Sequence, residues 1–175
     1  ITVVSEEEYA VYCRPLISYY LEGKTTLEKM NYRPKDFYEK NGCAVLYGKK
    51  AEKVDTGKKS VSLNDGTSLH YDELCLASGC TPFVPQFWGL EGVETKFGFM
   101  ILNGTLALEK AITPSSRVLI VGAGLIGLKC AEGLADRVAS ITVCDLADRV
   151  LSSILDSECA SLMQNKLEEH GISLM

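Results

Sequence analysis

The feature that most constrains the fold is a glycine-rich segment between two apolar runs in the last third of the chain. Residues 118–121, Val-Leu-Ile-Val, lead directly into Gly-Ala-Gly-Leu-Ile-Gly at 122–127. A helical stretch at 128–135 follows, and a second apolar run at 141–144 ends at Asp145. Strand, glycine loop, helix and strand in this order predict a βαβ unit of a parallel sheet.

Each part of this segment has a physical task in binding a dinucleotide. Gly122 makes the tight turn, Gly124 lets the backbone approach a pyrophosphate, and Gly127 brings helix and strand close together. The N-terminus of the helix then holds the negative charge. A carboxylate at Asp145 accepts hydrogen bonds from both ribose hydroxyls and repels a 2'-phosphate, which predicts NADH over NADPH. The predicted NAD site comprises Gly122, Gly124, Leu125, Ile126, Gly127 and Asp145.

Interpretations without a bound nucleotide stay open for the same residues. Glycines cluster in tight turns that bind nothing, and an acid at the end of a strand is often simply solvated. The ordered context of strand, loop, helix, strand and acid favours the nucleotide site.

The first residues of the chain resemble the second strand of that unit. Residues 1–4, Ile-Thr-Val-Val, are followed by acids, as residues 141–144 are followed by Asp145. If this match of four residues is not a coincidence, it predicts a second nucleotide-binding unit whose first strand and glycine loop are absent from this chain. Glu6 or Glu7 would then meet the ribose of a second nucleotide.

Between these two units the pattern of apolar residues changes to a period of two. Short strands are predicted at 43–47, 51–55, 60–63 and 68–71, with a hairpin turn at 64–66, and together they predict an antiparallel insert. A further buried strand is predicted at 71–77, and an exposed connection at 80–98. Helices are predicted at 15–21, 36–40 and 104–112.

Composition excludes several classes of function. The net charge of −5 leaves no basic face for a nucleic acid. No apolar run reaches the roughly 20 residues that a membrane helix needs, so a cytoplasmic protein without a membrane partner is expected. Seven cysteines without a C-x-x-C pair, and only two histidines, predict no metal site. We expect free thiols, most of them buried as small hydrophobic side chains.

Several segments together resemble a known family. They are residues 12–18, Tyr-Cys-Arg-Pro-Leu-Ile-Ser; 71–74, Tyr-Asp-Glu-Leu; 77–82, Ala-Ser-Gly-Cys-Thr-Pro; and 121–127 with Ala131 and Glu132. In this order they resemble the FAD- and NAD(P)H-dependent pyridine nucleotide-disulfide oxidoreductases. The similar branch contains NADH oxidases, coenzyme A-disulfide reductases, and rubredoxin, ferredoxin and nitrite reductases.

The resemblance implies an α/β fold with two Rossmann-like units, both incomplete, the first of which carries the antiparallel insert. Residues 1–112 would be a partial FAD-binding domain, and residues 113–175 the N-terminal part of an NAD(H)-binding domain. Arg14 and Pro15 would lie along the flavin pyrophosphate, and residues 77–79 would pass beside the FAD. The implied FAD residues are Glu6, Glu7, Arg14, Pro15, Ala77, Ser78 and Gly79. The chain would be a fragment of a longer, homodimeric parent protein, and it would be inactive alone.

The resemblance implies a flavoprotein that passes hydride from NADH to FAD. The electrons would go on to a small redox protein, nitrite reductase machinery or oxygen. Two departures from the branch stand out: Tyr19 takes the place of a lysine near the flavin, and Lys129 takes the place of a glutamate.

Two alternative functions remain. Cys13 occupies the place of a redox cysteine, which would make the protein a coenzyme A-disulfide reductase or an NADH peroxidase or oxidase, although Arg14 and Pro15 are typical of members without that thiol. Cys13 would otherwise be a packing residue. A non-catalytic NAD-binding module is the alternative of another class.

Overall fold

A computed structural model describes residues 1–175, which form two compact units. The first unit comprises Ile1–Tyr12 and Asn31–Thr81, and the second comprises Cys13–Met30 and Pro82–Met175. In chain order the elements are β1 (Thr2–Ser5), α1 (Ile17–Leu21), α2 (Phe37–Lys40), β2 (Ala44–Tyr47), β3 (Ala51–Asp55), β4 (Ser60–Leu63), β5 (Ser68–His70), α3 (Leu102–Ala111), β6 (Arg117–Val121), α4 (Leu125–Leu134), β7 (Ser140–Cys144), α5 (Ser157–Glu169) and β8 (Ile172–Leu174).

The two compact units divide the chain differently from the predicted boundary after residue 112. Residues 13–30 and 82–112 belong to the unit that contains the glycine loop, because their contacts are made there. The predicted boundary concerns which cofactor each part holds, and it stays a prediction.

In the first unit, β1 pairs with β2 in parallel, with Thr2 opposite Ala44 and Ser5 opposite Tyr47. The prediction that β2 belongs to the antiparallel insert is therefore wrong. A period of two reports alternating side chains and carries no information on strand direction. The long connection through α2 allows the parallel crossover, which a short turn could not make.

The remaining three strands of the first unit form the predicted antiparallel sheet, in the order β3-β4-β5. The turn between β4 and β5 contains Gly66 at φ +83°, which is the left-handed conformation that glycine adopts readily. The N–H of Leu63 donates to the carbonyl of Thr67 at 2.8 Å and closes this hairpin. The insert is thus confirmed for three strands of the four.

The buried strand predicted at 71–77 does not form. The segment has no regular structure, and Leu76 is 76% exposed. An apolar run becomes a strand only where a neighbour pairs its backbone and covers its side chains, and no strand of the structure pairs with this segment. Residues 80–98, in contrast, are the exposed connection that was predicted.

The second unit contains a parallel sheet in the order β6-β7-β8, with α4 and α5 as the crossover helices. Its core is shared by strands and helices, and includes Leu21, Ile120, Ala131, Leu134, Ile141, Val143, Ala160 and Ile172. Strand β6 lies at the edge, and Leu119 is 61% exposed. Within β6, Ile120 is buried and Val121 is 52% exposed, so one face of the strand packs on the core.

The seven cysteines are all free, but only Cys130 is buried. Burial raises the pKa of the Cys130 thiol to about 12. The expectation that most cysteines are buried is wrong, because Cys75 and Cys80 lie in the segments that form no strand. No group of three or more metal-ligating side chains is assembled, and none of the helices is long and apolar enough to cross a membrane.

Candidate functional site: the glycine loop and Asp145

The glycine loop joins β6 to α4 in a conformation that only glycine fits well. Gly122 has φ +111°, and its N–H donates to the carbonyl of Cys144 at 2.8 Å. A Cβ added at Gly127 would overlap the carbonyl oxygen of Gly122 and would lie 3.3 Å from Ile120. The first and third glycines thus have structural tasks: a left-handed turn and the close approach of helix to strand.

Gly124 has neither task, because its φ is −80° and a Cβ at this position would meet nothing within 4 Å. It is the N-cap residue of α4, and no side chain caps the helix there. The first amides of a helix have no partner within the helix, so Leu125, Ile126 and Gly127 present N–H groups at an uncapped N-terminus. Open space in front of such donors suits a pyrophosphate.

Asp145 stands at the end of β7 beside this loop. Its carboxylate accepts the N–H of Ala123 at 2.6 Å and the N–H of Ala147 at 2.9 Å. These main-chain donors, Ala147 first, hold the pKa of the Asp145 carboxyl below its ordinary value. The side chain is exposed, and near neutral pH it carries a negative charge next to the glycine loop.

A cavity of about 190 Å³ opens beside Asp145. Its lining includes Ala123, Asp145, Arg149, Gln164, Glu168 and Met175. The guanidinium of Arg149 is held within its own loop, by Asp148 at 3.0 Å and by the carbonyl of Ser152 at 3.4 Å. The cavity thus combines carboxylates with an arginine that is already occupied, which favours a ribose without a 2'-phosphate.

The sequence did not predict the cavity walls contributed by α5. Gln164 and Glu168 are four residues apart and therefore share one face of the helix. That spacing was the available signal, but it is common on solvated helix faces. The amides of Ala123 and Ala147 were also missed, because a backbone donor leaves no trace in residue identity.

The residues predicted to contact FAD are divided between the two compact units. Glu6, Glu7 and residues 77–79 belong to the first. There Glu7 accepts a hydrogen bond from the hydroxyl of Tyr12 at 2.6 Å, and Glu6 lies 3.5 Å from Lys50. Ala77, Ser78 and Gly79 are exposed and irregular, and Gly79 has φ +66°.

Cys13, Arg14 and Pro15 belong to the second unit, at the beginning of α1. A 3₁₀ turn at Arg14–Leu16 precedes that helix, with Pro15 in its first positions and Cys13 as its N-cap residue. The guanidinium of Arg14 donates to the carbonyl of Met100 at 3.2 Å and is exposed. Cys13 is half-buried, and its N–H donates to the carbonyl of Met30 at 2.8 Å.

The two cofactors fit the structure unequally. The residues predicted to bind NAD meet at one uncapped helix N-terminus with open space and an ionised acid, an arrangement that suits a dinucleotide. Among the residues predicted to contact FAD, Arg14 offers an exposed guanidinium, which suits a phosphate. The second unit thus has the strand, glycine loop, helix and strand of a Rossmann-type fold.

Comparison with known proteins assigns this unit and the rest of the chain to one family. Residues 1–175 match the family described as pyridine nucleotide-disulphide oxidoreductase, and the chain belongs to it. The family comprises FAD- and NAD(H)-binding oxidoreductases, which confirms the predicted family, fold class and cofactors.

Several relatives are similar over the whole chain. It is 27% identical over 175 residues to the NADH-dependent phenylglyoxylate dehydrogenase subunit epsilon of Aromatoleum evansii, and 31% identical over 185 residues to an NADH oxidase of Methanocaldococcus jannaschii. In both cases 100% of this chain covers 41% of the relative. The crystal structure of a covalent putidaredoxin reductase–putidaredoxin complex matches with a TM-score of 0.88 at 26% identity, over 100% of this chain and 43% of that one. The chain therefore spans about two fifths of these proteins.

Proposed function

We propose that the protein takes part in NADH-dependent flavin reduction, with Gly122, Gly124, Leu125, Ile126, Gly127 and Asp145 holding the NADH. The observation that carries this proposal is the uncapped N-terminus of α4 with open space at Gly124 and the ionised Asp145 beside it. When bound, the two cofactors supply a hydride donor and an electron sink.

The residues of the chain contribute binding and orientation. The amides at the N-terminus of α4 hold the pyrophosphate, since the helix dipole favours negative charge there. Asp145 accepts the ribose hydroxyls of the adenosine half. Arg14 is proposed to pair with a flavin phosphate, and Glu6, Glu7, Pro15 and residues 77–79 to line the rest of the flavin site.

Binding and reduction measurements on the purified full-length parent protein test this function, because the chain spans about two fifths of the length of its relatives. NADH titrated by calorimetry is expected to bind, and FAD added to the protein is expected to be bleached by NADH. Failure of NADH to bind would contradict the assignment of the glycine loop. Binding of NADH with no uptake of FAD would instead favour the non-catalytic module.

The electron acceptor is proposed from the relatives. One similar structure is a complex with putidaredoxin, and other relatives are a nitrite reductase and an NADH oxidase. A small redox protein is therefore proposed as acceptor, with nitrite reductase machinery and oxygen as the other two. Steady-state reduction of each by NADH distinguishes them.

A thiol-based activity at Cys13 is the second candidate, because this half-buried cysteine begins the segment that carries Arg14. Replacement Cys13→Ser in the full-length parent protein tests it, with Cys159→Ser on α5 as an exposed control. Turnover with coenzyme A disulfide or peroxide is expected to be lost only in Cys13→Ser. Unchanged turnover with every acceptor would rule out the thiol.

A further inference from the structure

Helix α1 lies in a segment that belongs to the second unit, although the chain before and after it belongs to the first. This segment comprises residues 13–30. Its two ends meet, because the N–H of Cys13 donates to the carbonyl of Met30 at 2.8 Å. The segment carries Arg14 and Pro15, which are proposed to bind the flavin. It therefore brings a proposed flavin contact into the unit that contains the glycine loop.

The end of α1 is held by Arg137, which follows α4. The guanidinium of Arg137 donates to the carbonyl of Leu21, the last residue of α1, at 2.6 Å. The last carbonyls of a helix have no partner within the helix, so this bond satisfies one of them. The main-chain N–H of Arg137 donates to the carbonyl of Leu134, the last residue of α4, at 2.8 Å. Arg137 thus joins the C-terminal ends of the two helices.

The same guanidinium also reaches α3. It donates to Glu109 at 3.2 Å, and the other oxygen of that carboxylate accepts the hydroxyl of Tyr20 at 2.7 Å. Burial and the hydrogen bond to Glu109 raise the pKa of Tyr20, so the hydroxyl keeps its proton at neutral pH and donates it to this bond. Tyr20, Glu109 and Arg137 therefore form one cluster that ties α1 to α3 and to the end of α4.

Helices α1 and α4 are also in close contact along their length. A Cβ added at Gly133 of α4 would lie 2.9 Å from the carbonyl oxygen of Ser18. Nearer the glycine loop, the ammonium of Lys129 lies 4.8 Å from the centroid of the Tyr19 ring. The cluster at Arg137 therefore fixes one end of an interface that is already tightly packed.

Arg14 is held by the same helices. It precedes the first residue of α1 by three positions, and its guanidinium donates to the carbonyl of Met100 at 3.2 Å. Met100 stands two residues before α3, the helix that carries Glu109. The glycine loop leads directly into α4, which Arg137 follows. The distance from Arg14 to the glycine loop thus depends on how α1 and α3 sit on α4.

We propose that Arg137 is a positioning residue for hydride transfer, which acts through α1 by setting the distance between the flavin segment and the NADH loop. This inference rests on the proposed binding of FAD at Arg14 and of NADH at the glycine loop. Reacting groups have to lie within about 3.5 Å, and a displacement of about 1 Å can slow a reaction roughly a hundredfold. A shift of α1 on α4 is therefore expected to slow the transfer while it leaves the NADH loop itself intact.

The test is rapid-mixing reduction of the flavin by NADH in the purified full-length parent protein, with the rate taken per bound flavin. Arg137→Met is expected to lower the limiting rate at saturating NADH by about tenfold, with the dissociation constant of NADH unchanged. Arg137→Lys keeps a donor for the carbonyl of Leu21 and is expected to restore part of the rate. Tyr20→Phe removes only the hydroxyl and is expected to slow the transfer by less than Arg137→Met.

Two controls separate positioning from charge and from stability. Arg117→Met removes the same charge from the same unit, at an exposed position where β6 begins, and is expected to leave the rate unchanged. Ile172→Val removes a buried methyl group from β8 and is expected to lower the melting temperature without slowing the transfer. If Arg137→Met does not fold, Arg137→Lys and Tyr20→Phe carry the same comparison.

The outcomes distinguish this inference from the proposed function. Limiting rates in the Arg137 and Tyr20 variants equal to that of Arg117→Met would overturn this inference alone. Equal slowing in Ile172→Val, or a loss seen only as weaker NADH binding, would overturn it as well. Failure of NADH to reduce the flavin of the unchanged protein would overturn the proposed function and this inference with it.

Discussion

The carboxylate of Asp145 accepts a hydrogen bond from the main-chain N–H of Ala123 at 2.6 Å. This bond ties the end of β7 to the middle of the glycine loop. The same carboxylate also accepts from Ala147, so Asp145 both organises the loop and presents negative charge. One residue thus connects the conformation of the glycine loop with the proposed preference for NADH.

Nucleotide preference is the first consequence of this bond. Asp145→Ala is expected to weaken NADH binding by roughly tenfold, about the value of one charge-assisted hydrogen bond. NADPH binding is expected to improve relative to NADH, because the repulsion of a 2'-phosphate is removed. Parallel fluorescence titrations with both nucleotides measure this. Tighter binding of NADPH than of NADH by the unchanged protein would contradict the role given to Asp145.

The pH dependence of stability follows from the lowered pKa of Asp145. A carboxyl with a depressed pKa in the folded state stabilises the fold above its ordinary pKa, near 3.9, and loses this contribution as pH falls through the folded value. The free energy of unfolding is therefore expected to be insensitive to this residue's protonation between about pH 6 and 8, and to fall below about pH 4.

Asp145→Asn isolates this contribution from that of Asp156, whose pKa is also lowered, by the main-chain N–H of Cys159. The difference in unfolding free energy between the unchanged protein and Asp145→Asn, measured with urea, is expected to become smaller below about pH 4. A difference that stays constant from pH 7 to pH 3 would contradict the lowered pKa.

Substitution of two loop glycines is expected to separate stability from binding. Gly127→Ala places a Cβ on the carbonyl of Gly122 and is expected to cost about 2–4 kcal/mol, read as a lower melting temperature. Gly124→Ala places its Cβ in open space, so stability is expected to change by less than about 1 kcal/mol. Its NADH affinity is expected to drop, because the methyl group occupies the space for the pyrophosphate. Equal effects of both changes on stability would contradict the different tasks of these glycines.

The contact between α1 and α4 makes a further prediction at Gly133. Gly133→Ala brings a Cβ to 2.9 Å from the backbone of Ser18 and is expected to destabilise the fold by about 1–3 kcal/mol. Gly92→Ala is the control, because nothing lies within 4 Å of its Cβ and its φ is not positive. Denaturant unfolding of both variants measures the difference. Equal midpoints would show that α1 does not pack on α4 as described.

The βαβ unit that contains the glycine loop could be predicted because the residues that define it are close together along the chain. Strand, turn, helix and acid follow one another, and Gly122 and Gly127 have distinct structural reasons, a positive φ and the close approach of helix to strand. What the sequence did not show depends on neighbours that are distant along the chain. The direction of β2 and the exposure of residues 71–77 depend on which strand lies beside them, and periodicity cannot report this.

For the candidate site too, local motifs could be predicted from the sequence and distant contacts could not. Gly122, Gly124, Gly127 and Asp145 meet in one place because a single supersecondary unit holds them. Contacts such as that of Lys129 with Tyr19 join segments more than a hundred residues apart, and no short sequence motif predicts them. The residues proposed for the flavin lie in two separate segments, at 6–15 and at 77–79, and their roles stay proposals.

Binding of NADH at the N-terminus of α4 can be followed in amide spectra of the isotopically labelled protein during titration with NADH. The amide resonances of Gly124, Leu125, Ile126 and Gly127 are expected to shift with a common affinity, together with that of Asp145. Saturable NADH binding that leaves these amides unshifted while others move would contradict it.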